Sequence, residues 1–230
     1  MLTLVAASLF GSLGIWQLGR AGEKRDIFAA YALGTTGALQ EGLGGGNAGE
    51  QRYQLLRLQG HYDAGRQVLL DNMSHAGRSG YQVLTPFITA GGSVLVNRGW
   101  VPASGDRGRL PDIEVSDQLR LLTGRIDRLP RPALRLAADA AVSAAPWPRR
   151  LLFPTVAEIS TQTGYALRDF QLLLNPDEPD GFLREWKPAL MEPEKHVGYA
   201  IQWFGLAATV VVVFVILAWR HLRIAPSDVR

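Results

Sequence analysis

Residues 197–219 read VGYAIQWFGLAATVVVVFVILAW, a run of 23 residues without a charged side chain. As an α-helix this run extends about 34 Å, which is enough to cross the hydrocarbon core of a bilayer. Trp203 and Trp219 lie near its ends, and Arg220 and Arg223 follow it, as is typical of membrane-spanning helices. A buried helix of a soluble protein is the alternative, which this length and these flanks disfavour. The sequence therefore predicts a transmembrane helix at residues 197–219.

The N-terminal residues 2–18, LTLVAASLFGSLGIWQL, form a second uncharged run. As a helix it extends about 26 Å, at the short limit for a membrane span. A cleaved signal peptide is the alternative, but the run lacks both a preceding basic segment and a clear A-x-A cleavage site. We therefore predict a retained transmembrane helix. Two small pairs, Ala7 with Gly11 and Ser8 with Ser12, are expected to let the other span approach closely.

The predicted orientation depends on the short C-terminal tail, which carries Arg220, Arg223 and Arg230 against Asp228. Short basic segments stay on the cytoplasmic side of a membrane. The basic residues that follow the first span contradict this rule, which long translocated domains largely escape. The predicted domains are a first transmembrane helix at 2–18, an extracytoplasmic β-rich domain at 19–196, a second transmembrane helix at 197–219 and a cytoplasmic tail at 220–230.

The central domain contains β-branched and aromatic runs separated by Gly, Asn, Ser and Asp, the pattern of antiparallel strands. Strands are predicted at residues 53–62, 66–71, 81–88, 93–100, 119–126 and 170–174. Residues 155–163 predict a short helix, with Thr155 as N-cap and Glu158 completing a capping box. The predicted fold class is an α+β membrane protein, in which two transmembrane helices flank a mostly antiparallel β domain with one or two short helices.

Two segments lack the pattern of regular structure. Residues 42–49 are rich in Gly and predict a flexible loop. Gly44, Gly46 and Gly49 match G-x-G-x-x-G, but they neither follow a predicted strand nor open a helix, so a dinucleotide site is disfavoured. Residues 130–148 are rich in Ala and Pro and predict a long irregular excursion.

Composition and motifs exclude several functions. The chain has no Cys, which removes disulfides, iron–sulfur clusters and a catalytic cysteine. Its net charge of +3 comes without a long Lys/Arg run, so nucleic-acid binding has little support. H-E-x-x-H, G-x-S-x-G and Walker A motifs are missing, and we predict that the protein is not an enzyme. A metal site at His61 with Asp63, or at Asp71 with His75, is a weaker alternative than solvated strand ends.

A helical stripe at the start of the second span combines a nitrogen ligand with aromatic side chains. His196, Tyr199, Ala200 and Trp203 share one face of a helix because they are spaced three or four residues apart. An axial His with aromatic and apolar neighbours is a common way to hold haem iron. Ordinary aromatic belt residues at the membrane surface are the alternative.

Four blocks of the sequence resemble the surfeit-locus family of cytochrome oxidase assembly proteins. They are LGIWQL at 13–18, GYQVLTP at 80–86, VLVNRGWVP at 94–102 and HVGYAIQWF at 196–204. The resemblance implies a two-span membrane protein that assists assembly of the haem–copper cytochrome c oxidase. It also implies delivery of haem a to the oxidase catalytic subunit, with His196 as the haem iron ligand. The helical stripe adds Tyr199 and Trp203 as the expected neighbours of the haem.

The same resemblance implies that the partners are the catalytic subunit, other assembly factors and the lipid bilayer. The family's central domain lies in the bacterial periplasm or the mitochondrial intermembrane space. Because little sequence precedes the first span, we expect a bacterial inner membrane protein with a periplasmic domain. A cofactor-free scaffold that stabilises an oxidase assembly intermediate is the alternative function.

The block at residues 97–100 is predicted to maintain the fold, with partner contact as the alternative. Asn97 and Arg98 end a strand, Gly99 supplies a strained turn angle, and Arg98 is expected to lie on the Trp100 ring as a cation–π pair.

Two amides adjacent to tryptophans are predicted to join the spans. Gln17 follows Trp16 and Gln202 precedes Trp203, at comparable depth under the proposed topology. An amide at this depth needs a polar partner, so we expect contact between Gln17 and Gln202. The alternative is that each amide faces headgroup water.

Overall fold

The computed structural model describes residues 1–44, 52–131, 146–188 and 190–224, apart from the side chains of residues 35, 36 and 224. Residues 45–49 of the predicted Gly-rich loop, residues 132–145 of the predicted excursion and the tail from residue 225 lie outside the described residues. The chain divides into two compact units, one formed by Met1–Ala30 with Pro188–Arg230 and the other by Tyr31–Lys187.

Two long helices lie at the ends of the described chain. Helix α1 spans Leu2–Thr36 and helix α3 spans Pro193–Ile224. Both are long and apolar enough to cross a membrane. The apolar side chains at residues 211–217 of α3 are 46 % to 59 % exposed, which disfavours the alternative of a buried helix in a soluble protein.

Both helices are longer than the predicted spans because a helix does not have to end at the membrane boundary. Polar residues such as Lys24 and Glu194 continue the regular backbone beyond the apolar runs. The basic segment after residue 18 is therefore helical.

The β domain contains eight described strands and one short helix. The strands are β1 (Gln40–Glu41), β2 (Leu55–Tyr62), β3 (Val68–His75), β4 (Arg78–Thr89), β5 (Gly92–Pro102), β6 (Arg120–Asp127), β7 (Arg149–Leu151) and β8 (Leu167–Leu174). The helix, α2, spans Val156–Thr163 and has the predicted capping box, in which the Thr155 side chain and Glu158 satisfy each other's backbone amides.

The pairings close a ring of five strands. β2 pairs with β6, β6 with β8 and β4 with both β5 and β2, all antiparallel, while β8 pairs with β5 in parallel. The rest of β4 pairs with antiparallel β3, and the short strands β1 and β7 add in parallel to β2 and β3. Most pairs are therefore antiparallel, and the predicted fold class is confirmed.

Apolar side chains fill the interior of this ring. The main core cluster draws on all five of its strands and contains Leu56, Leu58, Tyr62, Phe87, Val94, Val96, Leu122, Ile126, Phe170, Leu172 and Leu174. A second cluster packs Val156 and Ile159 of α2 against Leu70, Leu84 and Leu95. Alternation along each strand places one set of side chains inside the ring and the other under α2 or toward the surface.

Candidate functional site

The predicted stripe on α3 divides between two faces. His196 and Trp203 are partly buried and Ala200 is only 1 % exposed, whereas Tyr199 is 45 % exposed. His196, Ala200 and Trp203 therefore lie on the side of α3 that packs against another surface, while Tyr199 lies at its open margin.

The packed side of α3 meets α1 along a seam that includes Phe10 and Gly14. The rings of Phe10 and Trp203 stack with their centroids 5.7 Å apart and their planes at 26°. A Cβ built on Gly14 would lie 2.7 Å from the Phe204 ring, so the two helices touch where α1 has no side chain. Residues 10, 14 and 17 have the four-then-three spacing of helices that pack along one stripe.

His196 forms a hydrogen bond with Gln17 across this seam. Nδ1 of His196 lies 2.8 Å from Oε1 of Gln17. An amide oxygen only accepts hydrogen bonds, so Nδ1 carries the proton and donates it. In the neutral ring the lone pair is then on the other nitrogen, Nε2, which has no hydrogen-bond partner within the described part of the chain.

The predicted contact between Gln17 and Gln202 is wrong, because Gln17 contacts His196 instead. At 100° per residue, Gln202 lies roughly 130° around α3 from the seam, and its side chain is exposed. Trp16 is also exposed, at 57 %, so it does not pack into the seam.

Gly11 and Ser12 do not have the role predicted for the small pairs. A Cβ built on Gly11 would have no atom within 4 Å, and the Ser12 hydroxyl donates to the carbonyl of Ser8 in its own helix. The small residue that permits close approach is Gly14, one helical turn further along.

The arrangement around His196 fits a haem. A haem brings its own porphyrin nitrogens, so the protein has to supply only an axial ligand. His196 offers Nε2 for this role, Tyr199 provides an exposed aromatic ring one turn away, and Trp203 lies in the seam, stacked on Phe10. The geometry is compatible with an iron ligand at the edge of the seam.

A second cluster of predicted residues lies inside the β domain around Arg98, which is 2 % exposed. Its Nε donates to the carbonyl of Asp180, its Nη1 to Ile113 O and Gln67 Oε1, and its Nη2 to Glu114 O. These oxygens belong to loops beside the ring, so Arg98 ties the loops to β5.

The predicted cation–π pair of Arg98 with Trp100 is not the one that forms. The guanidinium carbon lies 4.9 Å from the centre of Phe182 and 5.6 Å from that of Tyr62. Alternation along β5 sends Arg98 and Trp100 to the same face, but the bulge at Gly99 interrupts this pattern.

Gly99 has the predicted unusual backbone angle, with φ +113°, although β5 continues through it rather than turning. A Cβ there would lie 2.7 Å from the carbonyl oxygen of Leu183. Trp100 then pairs with the 182–183 segment, and its indole donates to the carbonyl of Met73. The backbone freedom of glycine thus lets this segment dock on β5.

Asn97 connects three strands of the ring. It is completely buried, and its Nδ2 donates to Oε1 of Gln82 on β4 and Oε1 of Gln171 on β8, each at 2.9 Å. Its own Oδ1 accepts from the backbone amide of Gly99. The structure therefore places Asn97, Arg98 and Trp100 in internal contacts of the β domain.

Burial shifts the pKa values of two groups in this cluster. Loss of solvent lowers the pKa of Arg98 from 12.5 to about 10, while the neighbouring Tyr62 acts to raise it. Loss of solvent also raises the pKa of Tyr62 from 10.0 to about 12. Both shifts disfavour charge in the interior, as expected for groups held by neutral oxygens and aromatic rings.

The two alternative metal pairs have other contacts. Asp63 accepts from the Tyr165 hydroxyl and from Arg66, and Arg107 donates to both oxygens of Asp71. Within the described residues, there is no cluster of three or more His, Cys, Asp or Glu side chains that could hold a metal ion.

Comparison with known proteins then places the chain in a family. The model of the SURF1 family matches residues 4–208, which include nearly all of α1, the β domain and the first half of α3. The chain belongs to the SURF1 family. A SURF1-like protein of Rickettsia conorii is 24 % identical over 238 residues, an alignment that covers 97 % of this chain and 92 % of the relative.

Membership of the SURF1 family confirms the resemblance found in the four sequence blocks. It suggests a role in cytochrome oxidase assembly. The apolar terminal helices and this membrane-associated family together indicate a membrane protein. Sequence reasoning missed the seam residues Phe10, Gly14 and Phe204, although the four-then-three spacing on α1 was a readable signal.

Proposed function

We propose that this SURF1-family protein binds haem a through Nε2 of His196 and delivers it to the catalytic subunit of cytochrome c oxidase. Family membership supports the oxidase as the target. The observation that carries haem handling is the state of His196, because its Nδ1 is engaged by Gln17 while Nε2 has no partner in the described part of the chain.

The residues of the stripe have separate tasks in this proposal. His196 would supply a nitrogen ligand to the iron, Tyr199 would offer an aromatic surface to the bound group, and the stack of Phe10 on Trp203 holds α3 in place. The ligand lies near the end of an apolar helix, where a hydrophobic cargo can pass between protein and bilayer. Other assembly factors are proposed as further partners.

The direct test is the haem content of the full-length protein purified from cells that make haem a. We expect a Soret band in the parent and its loss or strong reduction in His196→Ala. His221→Ala is the matched control, because it removes the other histidine of α3 and should leave the haem content unchanged. Equal haem per protein in parent and His196→Ala contradicts the proposal.

The scaffold alternative predicts a different pattern. A cofactor-free scaffold shows no Soret band, and His196→Ala co-purifies with the oxidase catalytic subunit as well as the parent does. Under haem delivery, His196→Ala instead leaves an oxidase that contains less haem a.

We also propose that the β domain is periplasmic in a bacterial inner membrane. The support is the basic C-terminal tail, together with two helices that can each cross the membrane. A reporter fused after Arg230 should be active only in the cytoplasm, and one inserted at residues 44–46 only in the periplasm. The reverse pattern contradicts this orientation.

A further inference from the structure

We propose that Gln17 of α1 is a positioning residue for the haem ligand on α3. This inference rests on the proposed function, because it concerns the way His196 is prepared for iron. The contact that carries it is the 2.8 Å hydrogen bond between Gln17 Oε1 and His196 Nδ1.

The first consequence concerns the tautomer. A neutral imidazole has one N–H and one lone pair, and the hydrogen bond made by one nitrogen decides the state of the other. Because Gln17 Oε1 accepts, His196 is held with its proton on Nδ1. Nε2 is therefore the coordinating nitrogen before any iron arrives.

The second consequence concerns ligand strength. An acceptor on the remote N–H of a histidine fixes the ring orientation and makes the coordinating nitrogen more basic. Gln17 therefore strengthens electron donation from His196 and limits rotation of its ring. Removal of such a partner typically weakens metal binding by about 10-fold to 100-fold.

The third consequence is that the site requires both helices. The ligand His196 is on α3 and its acceptor Gln17 is on α1. The Phe10–Trp203 stack is a second contact between the same two helices. Gly14 contacts Phe204 between these two interactions. The packed helix pair, rather than α3 alone, presents a ready ligand.

The tautomer is tested without haem. Full-length protein labelled with ¹⁵N at histidine is placed in nanodiscs, and the ring nitrogens of His196 are assigned by comparison with His196→Ala. We expect Nδ1 to be the protonated nitrogen in the parent, and Gln17→Leu to reduce that tautomer. A parent that is protonated on Nε2 overturns the inference.

The effect on iron is tested by titration with ferric protoporphyrin IX. We expect Gln17→Leu to raise the Kd about 10-fold or more. We expect Gln17→Glu to retain binding but lower the reduction potential, because a carboxylate accepts more strongly and stabilises ferric iron. Gln202→Leu is the matched control, since it removes the same amide from an exposed position outside the seam.

The outcomes separate the inference from the function on which it rests. A parent that binds no porphyrin refutes the proposed function and the positioning role together, while the NMR result still decides the tautomer. A parent that binds, with a Kd and a reduction potential unchanged in Gln17→Leu and Gln17→Glu, refutes only the positioning role. A merely structural Gln17 would lower the thermal stability of both variants without moving the reduction potential.

Discussion

The guanidinium carbon of Arg98 lies 5.6 Å from the centre of the Tyr62 ring, and both side chains are at least 98 % buried. Arg98 donates to three backbone carbonyls and to Gln67. The charge of Arg98 is therefore stabilised by carbonyl dipoles and aromatic ring faces in the interior of the β domain, and the stability of the domain depends on this arrangement.

Arg98→Lys is expected to lower the free energy of unfolding of the β domain by about 3 kcal/mol. A lysine cannot reproduce the planar fork, so carbonyls of the surrounding loops lose their donors in a buried place. The measurement is urea unfolding of the full-length protein in nanodiscs, followed by tryptophan fluorescence. Arg57→Lys, at a more exposed position paired with Glu41, is the control and should change stability by less than about 0.5 kcal/mol.

Tyr62→Phe is expected to change the alkaline pH dependence of stability. The pKa of Tyr62 is about 12 in the folded protein and 10.0 ordinarily, so between these values only the unfolded chain has lost the proton. The free energy of unfolding therefore falls as pH rises through this window, and Tyr62→Phe removes that contribution.

Arg98 contributes with the opposite sign, because its pKa is lowered to about 10 by burial. Tyr62 acts to raise the pKa of Arg98, so Tyr62→Phe changes both contributions in the same direction, and the fall of stability with pH becomes shallower in the variant. The check is urea unfolding at pH 10 and above, with tyrosinate absorbance as a second readout. The prediction fails when parent and variant show parallel pH profiles.

Asn97→Ala and Gln171→Ala are each expected to lower the free energy of unfolding by about 1–3 kcal/mol, since each leaves a buried amide without its partner. The double variant should lose less free energy of unfolding than the sum of the two single losses, by about 0.5 kcal/mol or more, because the two residues share one hydrogen bond. Urea unfolding of the four proteins completes the cycle. Strict additivity would show that the contact does not couple β5 to β8.

Gly14→Leu is expected to separate α1 from α3, because even a Cβ at this position would lie 2.7 Å from Phe204. Since the chain has no native cysteine, the packing can be followed by cross-linking Gln17→Cys to His196→Cys, a pair in contact across the seam, with a short bifunctional maleimide. This choice leaves the Phe10–Trp203 stack intact. The yield of the cross-linked product should be several-fold lower in Gly14→Leu than in the parent. Gly11→Leu, where a Cβ meets no atom within 4 Å, should retain it.

The sequence predicted the strands and helices better than it predicted which of them contact one another. Six strands and α2 were readable because alternation and the Thr155–Glu158 capping box are local signals. The strands β1 and β7, with two and three residues, carry too little pattern to stand out. The pairing of β1 with β2 and of β7 with β3 depends on contacts between residues that are distant in the sequence. The spacing of residues within a strand does not encode such contacts.

In the candidate site, the sequence likewise predicted a residue position but not the residue that it contacts. The position of His196 on a helical stripe follows from spacing alone. The choice of Gln17 as its partner, in place of Gln202, depends on how α1 and α3 rotate about their own axes. The observed rotation brings Phe10 against Trp203 and Gln17 against His196. For Arg98, the sequence indicated a cation–π contact, but the bulge at Gly99 decided which rings it meets.

The ring of five strands also limits how the β domain can recognise another protein. Closure uses the hydrogen-bonding edges of β2, β4, β5, β6 and β8 on one another, and β3 occupies the remaining part of β4. The outermost described strands are β1 and β7, and β7 pairs with only Val68–Leu70 of β3, so residues 71–75 of β3 continue beyond it. Strand addition is disfavoured at the five strands of the ring, because they use their edges on one another. Recognition by these strands therefore depends on their side chains and loops, and the closure protects them from edge-to-edge aggregation.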